Sequence, residues 1–143
     1  MIDASVWVEY LAPGPAHREV APLFDPEVAL ELWIPDLCLL EVGNALRKQR
    51  LSDKRFTRKH LAAAVSDLLE LGPVVVSSAV LVEGAVEFAD NLTFYDASYV
   101  VLAAARRLPL CTLDRGLAKI AAGAGLTVLI PGRDPLASWW GPA

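Results

Sequence analysis

The feature of this chain that most constrains its fold is a regular alternation between short apolar runs and longer helical stretches. Five runs have the composition of buried strands: Met1-Ile2, Leu32-Trp33-Ile34, Val74-Val75-Val76, Leu110-Cys111-Thr112-Leu113 and Thr127-Val128-Leu129-Ile130. Such alternation is typical of βαβ units, in which helices connect parallel strands. The sequence therefore predicts a three-layer α/β/α domain with a central five-stranded parallel sheet.

Seven helices are predicted around these runs, at residues 5–11, 17–24, 36–49, 57–71, 83–90, 95–107 and 115–122. The helix at 57–71 is the clearest, because its apolar residues recur with a 3.6-residue period and Gly72-Pro73 should end it. Pro35 is expected to open the helix at 36–49, since the first turn of a helix tolerates proline. We expect one domain over residues 1–130 and a peripheral C-terminal tail over 131–143, which contains Trp139-Trp140.

The composition excludes several classes of protein. A chain of 143 residues fits one domain, and 55% hydrophobic with 21% charged residues argues against disorder. The longest apolar run, residues 97–105, is too short to span a membrane. The N-terminus lacks the basic and apolar regions of a secretory signal. Cys38 and Cys111 have no CxxC spacing and are expected to be small buried residues of a reducing compartment, so we expect a cytoplasmic protein.

The net charge of −4 argues against binding nucleic acid over the whole surface. However, seven of the 13 Lys and Arg residues lie between Arg47 and Lys59, with Asp53 as the single acid of that stretch. We call residues 47–59 the basic segment. It is either a solvated helical surface or a local phosphate-binding rim on an acidic protein.

Four acids occupy positions from which their side chains can converge. Asp3 and Asp114 directly follow the first and fourth strand runs, and parallel strands place such residues at one edge of the sheet. Asp96 lies at the start of one helix, and Glu41 lies among apolar residues inside another. Each Asp also has a structural interpretation: Asp3 and Asp114 as helix N-caps, and Asp96 in a capping box with Thr93. Glu41 must reach solvent or have a buried partner.

Clustered carboxylates require a counter-charge. Two of them about 4 Å apart repel by roughly 4 kcal/mol at an effective dielectric of 20, so a cluster takes up protons or binds cations. Oxygen donors without His or Cys suit Mg²⁺ or Mn²⁺ better than zinc. His17 and His60 lie elsewhere and are expected at the surface. Such a site is suited to phosphodiester hydrolysis, and no GxSxG motif, Cys–His pair or glycine-rich phosphate loop suggests another chemistry.

Four motifs carry a resemblance to a known family. They are Ile2-Asp3-Ala4-Ser5, Leu40-Glu41-Val42-Gly43-Asn44-Ala45-Leu46, Thr93-Phe94-Tyr95-Asp96-Ala97-Ser98-Tyr99-Val100 and Cys111-Thr112-Leu113-Asp114-Arg115. In order and spacing, from Asp3 to about Ile130, the chain resembles the PIN domain, and specifically the VapC toxins of VapBC toxin–antitoxin pairs.

The resemblance implies a metal-dependent endoribonuclease in which Asp3, Glu41, Asp96 and Asp114 hold one or two Mg²⁺ or Mn²⁺ ions. It implies supporting roles for Ser5, which would bond Asp3 or a phosphate, and for Asn44 and Thr112, which would orient carboxylates. It also implies cleavage of single-stranded or looped RNA to 5′-phosphate and 3′-hydroxyl ends, a homodimer, and a VapB-type antitoxin that covers the acidic cleft. The residues expected to line the RNA path, from charge density alone, are Arg47, Lys48, Arg50, Lys54 and Arg55.

The chain departs from the family pattern at two places. Only Met1 and Ile2 precede Asp3, where the family has a longer first strand. Either this strand is truncated or the natural start lies upstream, and a free α-amino group so close would add positive charge. Gly116 also replaces an acid that many relatives carry, which favours one tightly held ion.

Three other classes of protein share features with this sequence. A haloacid-dehalogenase-like phosphatase needs a second Asp at the position of Ser5, and a receiver domain needs an Asp at the Ser77-Ser78 position. The more serious alternative is a catalytically idle PIN fold that serves as a protein- or RNA-binding module. Such a module should bind Mn²⁺ weakly or not at all.

Overall fold

The computed structural model of the protein describes residues 1–135. The predicted Trp139-Trp140 pair of the tail lies outside the described residues. Among residues 1–135, no helix is both long and apolar enough to cross a membrane.

The strands are short and parallel, and the first apolar run connects them. Strand β1 (Trp33–Pro35) pairs with β2 (Val74–Val76), and β3 (Leu110–Cys111) pairs with β4 (Val128–Leu129). Between these two sheets lies Ile2, which forms a parallel bridge with Cys111 and donates its backbone N–H to the Trp33 carbonyl at 3.1 Å. The chain therefore has an α/β fold, but a continuous five-stranded sheet is not confirmed, because the first run is too short to form a regular ladder.

In the described part of the chain, seven helices surround these strands: α1 (Ala4–Leu11), α2 (His17–Val20), α3 (Leu37–Ser52), α4 (Arg58–Glu70), α5 (Val82–Ala85), α6 (Phe94–Arg106) and α7 (Arg115–Gly123). Helix α1 packs on α2, α3 and α4, whereas α6 packs on β1, β3 and α5. The long helices begin or end where the sequence predicted. Thr57 caps α4 in a capping box with His60, and Gly72 at φ +60° follows its last turn.

Three predicted helices differ in detail, and proline explains two of the differences. The stretch 17–24 is not one α-helix, because α2 gives way to a 3-10 turn at Ala21–Phe24 that has Pro22 near its start. Pro35 does not open α3: it is the last residue of β1, and Asp36 is the N-cap. The helix expected at 83–90 begins at Val82 and tightens into a 3-10 turn after Ala85.

The core lies between the strands and helices α1, α3 and α6. Trp7 of α1 is fully buried, and its ring lies 4.8 Å from that of Phe24. Val42 and Leu46 of α3 are also fully buried. Cys38 and Cys111 are free and buried, as the sequence predicted. This core fixes the beginnings of α1 and α6 and the first turns of α3, which carry three of the four candidate acids.

Candidate active site

Asp3 is the most buried of the four acids, with 6% of its surface exposed. Its backbone N–H donates to the Cys111 carbonyl at 3.0 Å, which fixes it beside β3. Its carboxylate caps α1, and its Oδ2 accepts the hydroxyls of Ser5 at 2.6 Å and Thr112 at 2.8 Å. Burial raises the pKa of Asp3, and these hydrogen bonds oppose the increase. The expected contact of Ser5 with Asp3 is present in the structure.

Thr112 connects Asp3 to Asp114. Thr112 is fully buried, and its hydroxyl accepts the backbone N–H of Asp114 at 2.9 Å while it donates to Asp3. The Asp114 side chain is exposed, and its Oδ1 accepts the N–H groups of Gly116 and Leu117 at the start of α7. Asp114 is therefore a helix N-cap, as its structural interpretation predicted, and it stands next to Asp3 in the hydrogen-bond network.

Glu41 is half-buried on α3 and has a buried partner on α6. The hydroxyl of Tyr99 donates to Glu41 Oε2 at 2.7 Å. Burial raises the pKa of Glu41, the Tyr99 hydrogen bond lowers it, and the negative charges of Asp3 and Asp96 raise it further. Glu41 therefore lies within electrostatic range of two of the other acids. No sequence signal identified Tyr99 as its partner, because only the fold brings α3 and α6 together here.

Asp96 lies in the first turn of α6, where Thr93 is the N-cap. The Thr93 hydroxyl accepts the backbone N–H of Asp96 at 3.1 Å and donates to its Oδ2 at 2.8 Å. Thr93 therefore caps α6 through the Asp96 N–H, but the predicted capping box is only half formed, because the Asp96 carboxylate accepts the Thr93 hydroxyl and not its backbone N–H. This hydroxyl bond holds the carboxylate at the helix start, within electrostatic range of Glu41.

Among the described residues, the four acids have no cationic partner. None of them forms a salt bridge with a residue in 1–135; the ion pair found there joins Arg55 to Asp53 at 3.0 Å. In the same region, no three His, Cys, Asp or Glu side chains already stand at the spacing of a closed metal centre. Two of the carboxylates, those of Asp3 and Asp114, cap helices α1 and α7 instead. The negative charge of the site is therefore not balanced by a positive side chain within residues 1–135, and the acids do not yet form a complete metal-binding site.

The hydrogen bonds of these acids leave oxygens available. In Glu41, Asp96 and Asp114, the hydrogen bonds fall on one carboxylate oxygen, and the other accepts none from the described part of the chain. In Asp3, both hydroxyl bonds fall on Oδ2. Carboxylate oxygens without a cationic partner are the donors that hard divalent cations prefer, so these residues fit Mg²⁺ or Mn²⁺ by chemistry.

The remaining expected site residues lie at the surface. Asn44 is exposed one turn after Glu41 and makes no side-chain hydrogen bond within residues 1–135, so its orienting role stays a prediction. Most of the basic segment is exposed, from the end of α3 to the start of α4, with Arg50 half-buried. Arg55 is already paired with Asp53. His60 is exposed as expected, whereas His17 is half-buried against Tyr10.

A free α-amino group at Met1 would not add the full charge that the sequence suggested. Burial lowers the pKa of such a group to about 6, so it would be mostly neutral at pH 7.

The fold is α/β, and Asp3, Asp96 and Asp114 lie at strand ends or helix starts. Comparison with known proteins identifies the protein family that has these features. The PIN-domain family profile matches residues 1–123, and the chain belongs to this family. Ribonuclease VapC1 of Mycobacterium tuberculosis, from strains CDC 1551 / Oshkosh and ATCC 25618 / H37Rv, is 40% identical over 89 residues. That alignment covers 59% of this chain and 63% of the relatives, so it spans less than two thirds of their length.

A solved structure shares the fold. The crystal structure of PAE2754 from Pyrobaculum aerophilum is similar to this chain with a TM-score of 0.61 and 27% sequence identity. The match covers 89% of this chain and 80% of that one.

Proposed function

We propose that this protein is a divalent-metal-dependent endoribonuclease and the toxin of a VapBC-type toxin–antitoxin pair. The observation that carries the proposal is the acidic group of Asp3, Glu41 and Asp96, coupled by charge and without a cationic partner among the described residues. Membership of the PIN family and the 40% identity to proteins named Ribonuclease VapC1 support RNA as the substrate.

Asp3, Glu41, Asp96 and Asp114 would hold the cation. When bound, Mg²⁺ or Mn²⁺ neutralises phosphate charge and activates water for phosphodiester hydrolysis. Ser5 and Thr112 orient the Asp3 carboxylate from two sides through its Oδ2, and Thr93 orients Asp96. The burial of Asp3 limits competition from water, which strengthens its interaction with charge. The basic segment would bind RNA phosphates away from the acids.

The finer features of the fold form part of the proposal. Residues 1–3 would act as the central strand of one five-stranded parallel sheet, in a three-layer domain over residues 1–130. The hydrogen bonds of this segment to both neighbours support this: Ile2 N–H donates to Trp33 O, and Met1 O accepts from Cys111 N–H at 2.9 Å.

The proposed partners are single-stranded or looped RNA, a VapB-type antitoxin and a second copy of the chain. The free, buried cysteines fit a reducing compartment, and a cytoplasmic location belongs to the same proposal.

RNA cleavage by the purified, antitoxin-free protein tests the proposal. Cleavage should require Mn²⁺ or Mg²⁺, stop with EDTA and be lost in Asp96→Asn. The matched control is Asp90→Asn, which makes the same change at an exposed Asp just before α6 and should cleave like wild type. Equal cleavage by wild type and Asp96→Asn would assign the activity to a contaminant.

A catalytically idle PIN module is the second candidate. It is favoured by the finding that no three acids of residues 1–135 stand at metal-binding spacing, and by the capping roles of Asp3 and Asp114. Mn²⁺ titration separates the two candidates. An idle module should bind RNA or protein with no dependence on Mn²⁺, whereas the nuclease should bind the cation in a manner that requires the acids.

A further inference from the structure

Tyr99 is a core residue whose polar end contacts the acidic site. Its side chain is fully buried in α6, yet its hydroxyl donates to Glu41 Oε2 at 2.7 Å. A phenylalanine would fill the same core volume, and a buried hydroxyl is costly unless it is paired. The pairing with Glu41 therefore calls for an explanation beyond packing.

The contact completes a pattern in the site. Asp3 accepts hydroxyls from Ser5 and Thr112, and Asp96 accepts one from Thr93. Glu41 is the fifth residue of α3, beyond the first turn that a cap residue reaches, so no cap residue holds it. Within residues 1–135, the side chain that donates a hydrogen bond to the Glu41 carboxylate is that of Tyr99.

The spacing along α6 places Tyr99 near a second candidate acid. Asp96 and Tyr99 are three residues apart on α6, so their side chains share one helix face. The Tyr99 bond engages Oε2 and leaves Oε1 without a hydrogen bond from the described residues. One oxygen is thus fixed while the other is available.

We propose that Tyr99 is the positioning residue of Glu41: its hydroxyl fixes the Glu41 rotamer so that Oε1 is presented to a divalent cation. This inference rests on the proposed metal-dependent function. It assigns Tyr99 a role in cation affinity that core packing alone does not require, because outer residues that orient metal ligands commonly contribute tenfold to hundredfold to affinity.

The test measures Mn²⁺ binding to the full chain by the electron paramagnetic resonance signal of free Mn²⁺. Tyr99→Phe should raise the Kd for Mn²⁺ by about tenfold or more. The matched control is Tyr10→Phe, whose ring packs on Phe24 and whose hydroxyl makes no hydrogen bond within residues 1–135; its Kd should equal that of wild type. In RNA cleavage, Tyr99→Phe should raise the Mn²⁺ concentration for half-maximal rate but recover kcat at saturating Mn²⁺.

A double-mutant cycle with Glu41→Gln separates positioning from packing. If Tyr99 acts through Glu41, Tyr99→Phe should change the Kd of Glu41→Gln by no more than about twofold, since coupled residues are non-additive. An equal loss in both backgrounds would overturn the proposal in favour of a general structural effect. Wild-type affinity in Tyr99→Phe would overturn it while leaving the proposed function intact. Absence of Mn²⁺ binding by wild type would overturn both.

Discussion

Thr112→Val removes one hydroxyl from the centre of the acidic site without changing side-chain volume. Thr112 is fully buried, and its hydroxyl donates to Asp3 Oδ2 at 2.8 Å and accepts from Asp114 N at 2.9 Å. Valine keeps the shape of threonine but can make neither bond. We expect this variant to fold and to be substantially less stable in the absence of metal.

The size of the effect follows from the two bonds. A hydrogen bond to a charged group contributes about 1.5–3 kcal/mol, and loss of the partner of the Asp114 N–H adds about 1 kcal/mol. Together the two losses amount to about 2.5–4 kcal/mol, and because the Ser5 hydroxyl still holds Asp3 Oδ2, the total should not exceed about 4 kcal/mol. Total stabilities of domains are about 5–15 kcal/mol, so this is a large fraction that leaves the chain folded.

Urea unfolding in EDTA, followed by tryptophan fluorescence, measures this loss. Thr112→Ser is the control, because it keeps both hydrogen bonds and loses only a buried methyl group, at a cost of about 1 kcal/mol. The expected order of unfolding free energies is wild type, then Thr112→Ser, then Thr112→Val. The reasoning is refuted if Thr112→Val is as stable as Thr112→Ser.

Three further predictions follow from the charges and burial. The pKa values of Asp3 and Glu41 are raised, so the folded, metal-free chain retains protons that the unfolded chain releases above about pH 4; its unfolding free energy should fall as pH rises towards the folded pKa values. The urea-unfolding difference between wild type and Asp3→Asn isolates this effect, and a difference that does not change with pH would contradict it. Charge reversal of Arg47 and Lys48 should weaken RNA binding and reduce its salt slope by about 0.7 per lost phosphate contact, as measured by fluorescence anisotropy, whereas reversal of exposed Arg18 should not. The two buried cysteines should react with a thiol reagent only after unfolding, because burial raises the pKa of both thiols to about 12, and rapid labelling of the native chain would show that they are accessible.

The sequence predicted the helices that carry their own boundary signals. Helix α4 has a threonine cap, a clear apolar period and a terminal glycine, and it was placed within one residue at each end. The local structure at Pro22 and Pro35 was predicted less accurately. A proline shows where a backbone N–H is missing, but it does not show whether the residue lies in a 3-10 turn or at the end of a strand.

The contacts of the candidate site that join residues close in the sequence could be predicted. Asp3 and Asp114 follow apolar runs, and their neighbouring amides and hydroxyls are local, so their caps could be expected. The Glu41–Tyr99 contact joins residues 58 positions apart, and no local pattern encodes it. The strand order has the same origin, since pairing of the short β3 and β4 depends on the packing of the whole domain.

Because Asp3 and Asp114 cap helices, a substitution at either position can change the charge of the site without changing the stability of the helix. Asparagine caps a helix about as well as aspartate, so Asp→Asn at Asp3 or Asp114 removes a charge while leaving the helix start intact. Aspartate and asparagine codons differ by one base. If the acids act as proposed, a single base change would therefore remove the nuclease activity and leave a well-folded chain that does not aggregate.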